Sequence, residues 1–320
     1  MRESFAIGAV RVRAGSKKDV ELPITRLVTG GDVSLPVQVV HGKQDGPTVW
    51  VSAAIHGDEV MGVEIVRRLL TTLDAKRLRG TLVAVPVVNV LGFMAGDRYL
   101  PDRRDLNRSF PGSPRGSLAS RIAHLFMQEV VSKCEVGIDL HTAADRRANL
   151  PQLRANLDDP RTRDLCEAFA APVMLHARLR DGSLRQAALE AGAIVLLYES
   201  GEALRFDEPS IATGVAGVRR VLARMGMIED EVEEPPAPSV ESRESGWVRA
   251  RGTGILQLEV DLGERVEAGR RLGRLSDTFG RRGRLVHADR DGIVIGLTRA
   301  PLVNAGDALV HLAQIAPSAD

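Results

Sequence analysis

Short apolar runs alternate with amphipathic stretches over the first two thirds of the chain. The runs rich in β-branched residues are candidate strands and span Val49 to Ile55, Thr81 to Val88, Val136 to Leu140 and Ile194 to Tyr198. The stretches with apolar residues at helical spacing are candidate helices and span Val60 to Leu73 and Ser117 to Val131. This alternation predicts an α/β fold in which helices cover both faces of a central sheet.

An acidic, proline-rich segment separates this region from the rest of the chain. Residues 229–243 begin with the sequence EDEVEEPPAP, in which like charges repel one another and prolines remove backbone donors. We therefore predict three parts, which are a domain over residues 1–228, a solvated linker over 229–243 and a second unit over 244–320.

The second unit is punctuated by glycine and contains no amphipathic helical stretch, so we predict a small C-terminal all-β module. The module repeats itself: Gly-Ile-Leu at 254–256 leading to Val-Glu-Ala-Gly at 266–269 is echoed by Gly-Ile-Val at 292–294 leading to Val-Asn-Ala-Gly at 303–306. Such paired halves resemble the lipoyl/biotinyl-like barrel. That family attaches its cofactor to a lysine, and no lysine follows the linker, so only the shape is expected. We expect the module either to narrow access to a cleft or to mediate self-association as a homo-oligomer.

Composition and charge narrow the class of function. The 320 residues include 43 basic and 42 acidic side chains, a balance that gives no overall field to attract nucleic acid or an anionic membrane. Cys134 and Cys166 are not spaced as a redox or metal-binding pair. An acidic residue near the start argues against a signal peptide, and no apolar run is long enough to span a membrane. We therefore expect a cytoplasmic protein that acts on a small molecule or a short peptide.

Two short motifs place metal-ligand side chains at the ends of candidate strands. His56-Gly57-Asp58-Glu59 sets an imidazole and a carboxylate three residues apart at a strand-to-helix transition, where both can turn toward one ion. Asp139-Leu140-His141-Thr142 supplies a second histidine at the end of another strand. Two histidines and one carboxylate leave a zinc ion an open position for water. The alternative is that the first motif occurs by chance and that the histidines bond only backbone carbonyls.

Four motifs, taken in order along the chain, resemble those of the succinylglutamate desuccinylase/aspartoacylase family, which belongs to the wider zinc carboxypeptidase fold. They are His56-Gly57-Asp58-Glu59, Asp105-Leu106-Asn107-Arg108-Ser109-Phe110, Asp139-Leu140-His141-Thr142 and Tyr198-Glu199. The resemblance covers most of residues 30–225. It implies a mixed central sheet of the zinc carboxypeptidase type, one zinc ion per chain and hydrolysis of an amide bond.

The resemblance also implies a role for each matching residue around the metal. His56, Glu59 and His141 would bind zinc, and Glu199 would act as the general base that later delivers its proton to the departing amine. Asp105 would accept a hydrogen bond from the second ring N–H of His56 and so fix its tautomer. Capping of a turn or helix is the alternative role for Asp105.

Substrate recognition is expected to depend on arginines. In the family, the pair that matches Asn107 and Arg108 binds the carboxylate of the substrate, and a guanidinium fork suits a planar carboxylate. An arginine that polarises the scissile carbonyl is expected shortly before this second motif. Arg98 is our candidate, and Arg103 and Arg104 are close competitors.

The resemblance therefore favours a deacylase, a zinc-dependent hydrolase of an N-acyl amino acid or a related small amide that bears a carboxylate. The alternatives are a zinc carboxypeptidase that releases C-terminal amino acids and a non-catalytic binding protein of the same fold. The same ligand set also accepts iron, cobalt or manganese. The other histidines that we considered are expected to have core or surface roles, and they are His124, His176, His287 and His311.

Overall fold

The strands and helices of the chain are seen in a computed structural model that describes residues 2–229, 232–235, 237–281 and 283–315. Of the predicted linker, Asp230, Glu231 and Pro236 lie outside these residues. The helices are α1 (Met61–Thr72), α2 (Val90–Ala95), α3 (Leu118–Glu129), α4 (Pro160–Phe169), α5 (Leu184–Glu190) and α6 (Glu208–Arg224), with 3₁₀ turns at Leu106–Arg108 and Val131–Lys133. The strands are β1 (Phe5–Ile7), β2 (Val10–Val12), β3 (Ser16–Arg26), β4 (Asp32–His41), β5 (Gln44–Ala53), β6 (Arg79–Val85), β7 (Val136–His141), β8 (Arg147–Ala155), β9 (Val173–His176), β10 (Ile194–Gly201), β11 (Val240–Ser242), β12 (Ser245–Arg249), β13 (Gly254–Leu258), β14 (Arg265–Val266), β15 (Arg271–Ser276), β16 (Arg284–His287), β17 (Gly292–Thr298), β18 (Leu302–Val303) and β19 (Ala308–Ala313).

A mixed sheet joins strands from distant parts of the chain in the order β12-β19-β17-β8-β10-β7-β5-β6-β4-β3. Its centre is parallel, since β6, β5, β7 and β10 run in the same direction. On either side of this centre, β4 and β8 join antiparallel. Strand β9 pairs in parallel with part of β8, and β11 pairs in parallel with β9. The predicted α/β class and the mixed central sheet are confirmed.

Helices cover both faces of this sheet. Helices α1, α4 and α6 contribute to one apolar core, and α3 and α5 contribute to another. Along β5, Val49 and Val51 belong to the first core and Trp50 to the second, as expected for side chains that alternate across a sheet. The central strands are therefore largely apolar, and the polar side chains that can carry chemistry lie at or near their ends. None of the helices in the described part of the chain is both long and apolar enough to cross a membrane.

The C-terminal strands form the predicted all-β module. Strands β16, β15, β13 and β18 make a separate antiparallel sheet in that order, whereas β12, β14, β17 and β19 extend the mixed sheet. The halves that repeat in sequence exchange partners, because β13 pairs with β18 and β14 pairs with β17. Each half of the repeat therefore supplies a strand partner to the other half.

The module is hydrogen-bonded to the α/β part of the chain. Strand β17 pairs antiparallel with β8, with Gly296 opposite Asn149 and Thr298 opposite Arg147. Strand β11 lies within the predicted linker and pairs with β9. The sheet is therefore continuous across the boundaries drawn from the sequence, and the division into three parts stays a prediction.

Candidate active site

The residues of the two metal motifs meet at the carboxyl ends of adjacent strands. His56 and Glu59 lie on the turn between β5 and α1, and His141 is the last residue of β7, the parallel neighbour of β5. Gly57 lets this turn pack against α2, because a Cβ at that position would lie 2.1 Å from the carbonyl carbon of Gly92. Open α/β sheets commonly bind their ligands at this edge.

The side chains of the three residues converge on one point. Nδ1 of His56 lies 2.7 Å from Oε1 of Glu59, and Nδ1 of His141 lies 2.8 Å from Oε2 of the same carboxylate. All three side chains are buried, and one ligand atom from each lies within 4.8 Å of the others. Imidazole nitrogen and carboxylate oxygen are donors that zinc prefers and that iron, cobalt and manganese also accept. The cluster therefore fits a single metal ion.

Each imidazole is also held from its far side by a carboxylate. Nε2 of His56 lies 3.1 Å from Oδ1 of Asp105, and Nε2 of His141 lies 2.8 Å from Oδ2 of Asp139. Asp139 accepts a further 2.8 Å hydrogen bond from Oγ of Ser52. An ionised carboxylate only accepts hydrogen bonds, and each ring faces one from both of its nitrogens. With a cation in place of the proton on Nδ1, Asp105 and Asp139 would hold the remaining proton on Nε2 and leave the lone pair of Nδ1 to the cation.

The charges of the cluster act on one another. Burial alone would raise the pKa of Glu59, but the two imidazoles hold that pKa far below its usual range. Burial would likewise lower the pKa of His141, yet Asp139 and Glu59 raise it well above its ordinary value. Against the same burial, Glu59 and Asp105 raise the pKa of His56. A divalent cation would replace the protons that both rings share with Glu59.

Glu199 lies beside this cluster. It is directly opposite His141 in the parallel pairing of β10 with β7, so the two side chains project to the same side of the sheet. Its Oε2 accepts a 2.7 Å hydrogen bond from Nδ2 of Asn149, and its Oε1 lies 3.6 Å from Nε of Arg154. The structure thus places the carboxylate of Glu199 in the cleft, next to a ligand of the metal cluster.

Arg98 reaches the site, and the two competing arginines do not. Nη1 of Arg98 donates to Oε1 of Glu59 at 3.1 Å, and Nη2 donates to Asp105 at 3.4 Å. The side chains of Arg103 and Arg104 are 81% and 59% exposed and pair with other aspartates. Only Arg98 among the three candidates lines the cleft. Its role on the scissile carbonyl stays a prediction.

Asn107 and Arg108 lie in the 3₁₀ turn that Asp105 begins. Oδ1 of Asp105 accepts a 2.9 Å hydrogen bond from the backbone N–H of Asn107 and also faces the ring of His56. The two alternative roles proposed for Asp105 therefore coexist. Asn107 accepts a hydrogen bond from the backbone N–H of Leu184, Arg108 donates to the carbonyl of Asn107, and both side chains line the cleft.

The cleft that contains these residues has a volume of about 770 Å³ and walls from both parts of the chain. The module contributes Ser245, Trp247, Arg290 and His311 among others. The ring of Trp247 stacks on His311 with centroids 4.6 Å apart, and Cζ of Arg147 lies over the ring of Trp247, 5.0 Å from its centroid. The module therefore forms part of the wall of the cleft, and its two expected roles, to narrow access and to mediate self-association, stay predictions.

Two of the histidines that were expected to have core or surface roles lie in the lining of the cleft. They are His176, at the end of β9, and His311. Burial, followed by the charges of Arg154, Arg290 and Arg147, lowers the pKa of His311 to about 3, so this ring is neutral at pH 7. The sequence did not indicate this position, because their strands become neighbours of the site only through long-range pairing, and the roles of both histidines stay a prediction.

One side of the cleft, formed by β8, α5 and the loop before α5, is strongly positive. Burial, then Arg154 and Arg180, lower the pKa of Arg185 to about 10, and burial and Arg154 also lower the pKa of Arg180. Within the described ranges, Nε of Arg154 and Nη1 of Arg185 are buried without a hydrogen-bond partner. Guanidinium groups crowded together in this way favour an anionic group on the substrate.

Replacing Asp139 with asparagine is expected to weaken metal binding by about 10- to 100-fold, because an amide can donate as well as accept and no longer fixes the tautomer of His141. Titration of the metal-free protein with a buffered zinc series measures the change. Ser52→Ala is the matched control, since it removes one hydrogen bond to Asp139 but keeps the carboxylate, and we expect a smaller loss. Equal zinc affinity in wild type and Asp139→Asn would contradict this role.

The sequence interpretation assigned no role to Asp139 or Asn149. Asp139 carried a usable signal, because residues two apart in a strand point to the same face and its carboxylate therefore lies beside His141. Asn149 carried none. Its contact with Glu199 depends on the pairing of β8 with β10, which no local pattern reveals.

The comparison with protein families agrees with the geometry. Residues 45–225, more than half of the chain, match the succinylglutamate desuccinylase/aspartoacylase catalytic domain. The N-alpha-acetyl-L-2,4-diaminobutyric acid deacetylase of Halomonas elongata is 31% identical over 314 residues, which cover 93% of this chain and 91% of that protein. The succinylglutamate desuccinylase of Burkholderia pseudomallei is 31% identical over 220 residues. That alignment covers 60% of this chain and 61% of the desuccinylase, so the chain spans about three fifths of that relative.

Solved structures share the fold. The succinylglutamate desuccinylase/aspartoacylase of Rhodobacter sphaeroides superposes with a TM-score of 0.83 at 27% identity, covering 94% of this chain and 96% of its own. The ectoine utilization protein EutE of Ruegeria pomeroyi, solved with bound product, superposes with a TM-score of 0.86 at 25% identity, covering 98% and 100%. Coverage this high includes most of the C-terminal module.

Proposed function

Because this chain belongs to the succinylglutamate desuccinylase/aspartoacylase family, we propose that it removes the acyl group from a small N-acyl amino acid. It is a metallohydrolase that acts on amide bonds. The observation that carries the proposal is the buried cluster of His56, Glu59 and His141, with Glu199 in register beside it. The products are a carboxylic acid and a free amine.

We propose zinc as the metal, one ion per chain, held by His56, Glu59 and His141. Zinc, when bound, supplies a Lewis acid that polarises an amide carbonyl and lowers the pKa of water to about 7. The two imidazoles are oriented for this ion by Asp105 and Asp139, which contact their outer nitrogens. That arrangement keeps both rings in the tautomer whose Nδ1 can donate its lone pair.

Glu199 is the proposed general base. Its carboxylate takes a proton from the attacking water and then delivers that proton to the nitrogen of the departing amine. Oε2 is occupied by the hydrogen bond from Asn149, whereas Oε1 lies 3.6 Å from Arg154, beyond hydrogen-bond distance. Oε1 therefore retains a lone pair to receive the proton.

The substrate is proposed to be held by side chains on the turn beside His56. Asn107 and Arg108 line the cleft there and would bind the carboxylate of the substrate. Arg98, whose guanidinium already contacts Glu59, would stabilise the negative charge that develops on the carbonyl oxygen as water adds. These two functions require the scissile carbonyl and the carboxylate to lie close together in the cleft, as they do in an N-acyl amino acid, where only the amide nitrogen and the α carbon separate them.

The charge of the cleft supports a substrate with at least one carboxylate. Arg154, Arg180 and Arg185 add positive charge to that of Arg98 and Arg108. The relative from Halomonas elongata is an N-alpha-acetyl-L-2,4-diaminobutyric acid deacetylase. We therefore propose a small acyl group such as acetyl, on the nitrogen of an amino acid whose carboxylate is free.

A matched pair of substrates tests this proposal. Zinc-loaded protein is expected to release amine from at least one of the N-acetyl derivatives of L-2,4-diaminobutyrate, L-aspartate and L-glutamate, and chelation should abolish the release until zinc is restored. N-acetyl-1,3-diaminopropane keeps the amide and side chain of the first compound but lacks its carboxylate. Its kcat/KM should be about 10- to 100-fold lower, because charge-assisted hydrogen bonds to Arg108 are lost.

The same assay can overturn the proposal. If zinc-loaded protein released no amine from any N-acyl amino acid, deacylation would be the wrong assignment. If the compound without a carboxylate were cleaved as well as its parent, the assigned roles of Asn107 and Arg108 would be wrong.

A further inference from the structure

Glu199 is held by a residue that belongs to the junction between the α/β part and the module. Asn149 lies in β8 with 6% of its surface exposed, and its Nδ2 donates a 2.7 Å hydrogen bond to Oε2 of Glu199. A carboxylate only accepts, so the amide nitrogen is the atom that must face it. A hydrogen bond to an ionised acceptor is about twice as strong as one between neutral groups.

The backbone of the module approaches Asn149 from the opposite side. Asn149 pairs with Gly201 of β10 on one side and with Gly296 of β17 on the other. A Cβ built on Gly296 would lie 3.0 Å from Oδ1 of Asn149 and 3.1 Å from Cβ of His311. Gly296 thus leaves just enough space for the amide group of Asn149, whose oxygen lies beside Gly296 while its nitrogen faces Glu199.

We propose that Asn149 is a positioning residue that fixes the orientation of the Glu199 carboxylate, and that the C-terminal module fixes Asn149 through Gly296. This inference rests on the proposed function of Glu199 as general base. It gives the module a part in the chemical step, beyond its contribution to the wall of the cleft.

The carboxylate of Glu199 needs a residue that fixes its orientation, because a glutamate side chain can adopt several rotamers. Glu199 has several rotatable bonds, and the guanidinium of Arg154, 3.6 Å from Oε1, would attract the carboxylate if the bond to Asn149 were absent. A shift of about 1 Å in a catalytic group can cost about 100-fold in rate. Orientation therefore matters for kcat, whereas substrate binding by Asn107 and Arg108 is unaffected.

Kinetics of variants at Asn149 test the inference, with full-length zinc-loaded protein and an N-acyl amino acid that the wild type cleaves. Asn149→Ala removes the donor, and Asn149→Asp keeps the shape but replaces the donor with a second carboxylate. We expect kcat to fall about 10- to 100-fold in both, with KM within about threefold and zinc content unchanged. Gln152→Ala is the matched control, because Gln152 is also buried in β8 and bonds the carbonyl of Ile295 in β17. Gln152 pairs with Glu199 through the backbone, but its side-chain amide donates to backbone carbonyls and not to the carboxylate of Glu199.

Gly296→Ala tests the link to the module. Its new methyl group would press on Oδ1 of Asn149 and should lower kcat in the wild-type background. In the Asn149→Ala background the same substitution should cost much less, since the atom that it displaces is gone. Additive losses in the double variant would show that Gly296 acts without Asn149.

The outcomes separate this inference from the proposed function. Loss of activity in Glu199→Gln together with wild-type kcat in Asn149→Ala would overturn the role of Asn149 alone. A loss confined to KM would make Asn149 a substrate-binding residue instead, and an equal fall of kcat in Gln152→Ala would reduce it to a structural one. Full kcat in Glu199→Gln would overturn the proposed function and this inference with it.

Discussion

Glu199→Gln is expected to lower kcat by about 10²- to 10⁴-fold while leaving the zinc content and KM close to those of the wild type. Glutamine has the same shape as glutamate, and its amide oxygen can still accept the hydrogen bond from Asn149. The variant loses the ability to take up a proton at catalytic pH, together with the negative charge that faces Arg154. Steady-state kinetics on an N-acyl amino acid, with metal analysis of the same preparation, measure the effect.

A control for this variant lies close by in the chain. Glu202 follows Glu199 by three residues and pairs with Arg205 and Arg299, and it is not among the residues of the cleft. Glu202→Gln should therefore retain wild-type kcat. A fall of less than about tenfold in Glu199→Gln would argue that another group serves as the base.

His141→Ala is expected to reduce hydrolysis to the background level and to leave the purified protein with little zinc. Two protein ligands remain in this variant, and Glu59 loses one of the imidazoles that stabilise its charge. Asp139 is left buried with the hydrogen bond from Ser52 but without its imidazole partner. Metal analysis after dialysis against a weak chelator, and amine release with zinc in excess, give the two readouts.

Loss of a buried imidazole also destabilises a protein, so this experiment needs a control of the same kind. His41 is buried at the pairing of β4 with β6, where Nδ1 lies 2.9 Å from Oγ1 of Thr81, and it is not part of the cleft. His41→Ala should lower the melting temperature but keep its zinc and its kcat. Full zinc occupancy and activity in His141→Ala would show that the metal binds elsewhere.

The features that could be predicted from sequence are those encoded over a few residues. Apolar runs and amphipathic stretches indicated the central strands and the helices α1 and α3, because burial on two faces or on one leaves a distinct pattern. His56, Glu59 and His141 were predictable as a group, since the carboxyl ends of parallel neighbours meet at one edge.

The features that could not be predicted depend on which distant strands pair. Trp247 and His311 enter the cleft because β12 and β19 lie beyond β17 in the sheet, and β17 in turn lies against β8. The acidic, proline-rich segment indicated a separate unit, yet hydrogen bonds such as that from Gln152 to Ile295 join residues 143 positions apart. A local sequence pattern can indicate the turn or linker between two units, but it does not indicate which of their strands pair or in which register.

For the arginine that reaches the site, the sequence offered three candidates, and the packing of the folded chain determines which of them it is. Arg98, Arg103 and Arg104 are chemically equivalent and lie within a few residues of one another. Arg103 has a left-handed backbone conformation, with φ of 63°, and its side chain points to solvent at the turn before Asp105. Of the three arginines, Arg98 is the one that donates a hydrogen bond to Glu59.

During synthesis, the pairing of β17 with β8 can form only long after β8 has been made. The first half of β8, at Arg147 and Asn149, has no partner on that side until β17 has been synthesised, because β9 pairs only with the second half. At about 5–20 residues per second, the synthesis of the chain from Asn149 to its partner Gly296 takes roughly 7 to 30 seconds. An unpaired strand edge invites association with other chains, and polar side chains discourage it. Arg147 and Asn149 therefore protect during synthesis the same edge that they later furnish to the cleft.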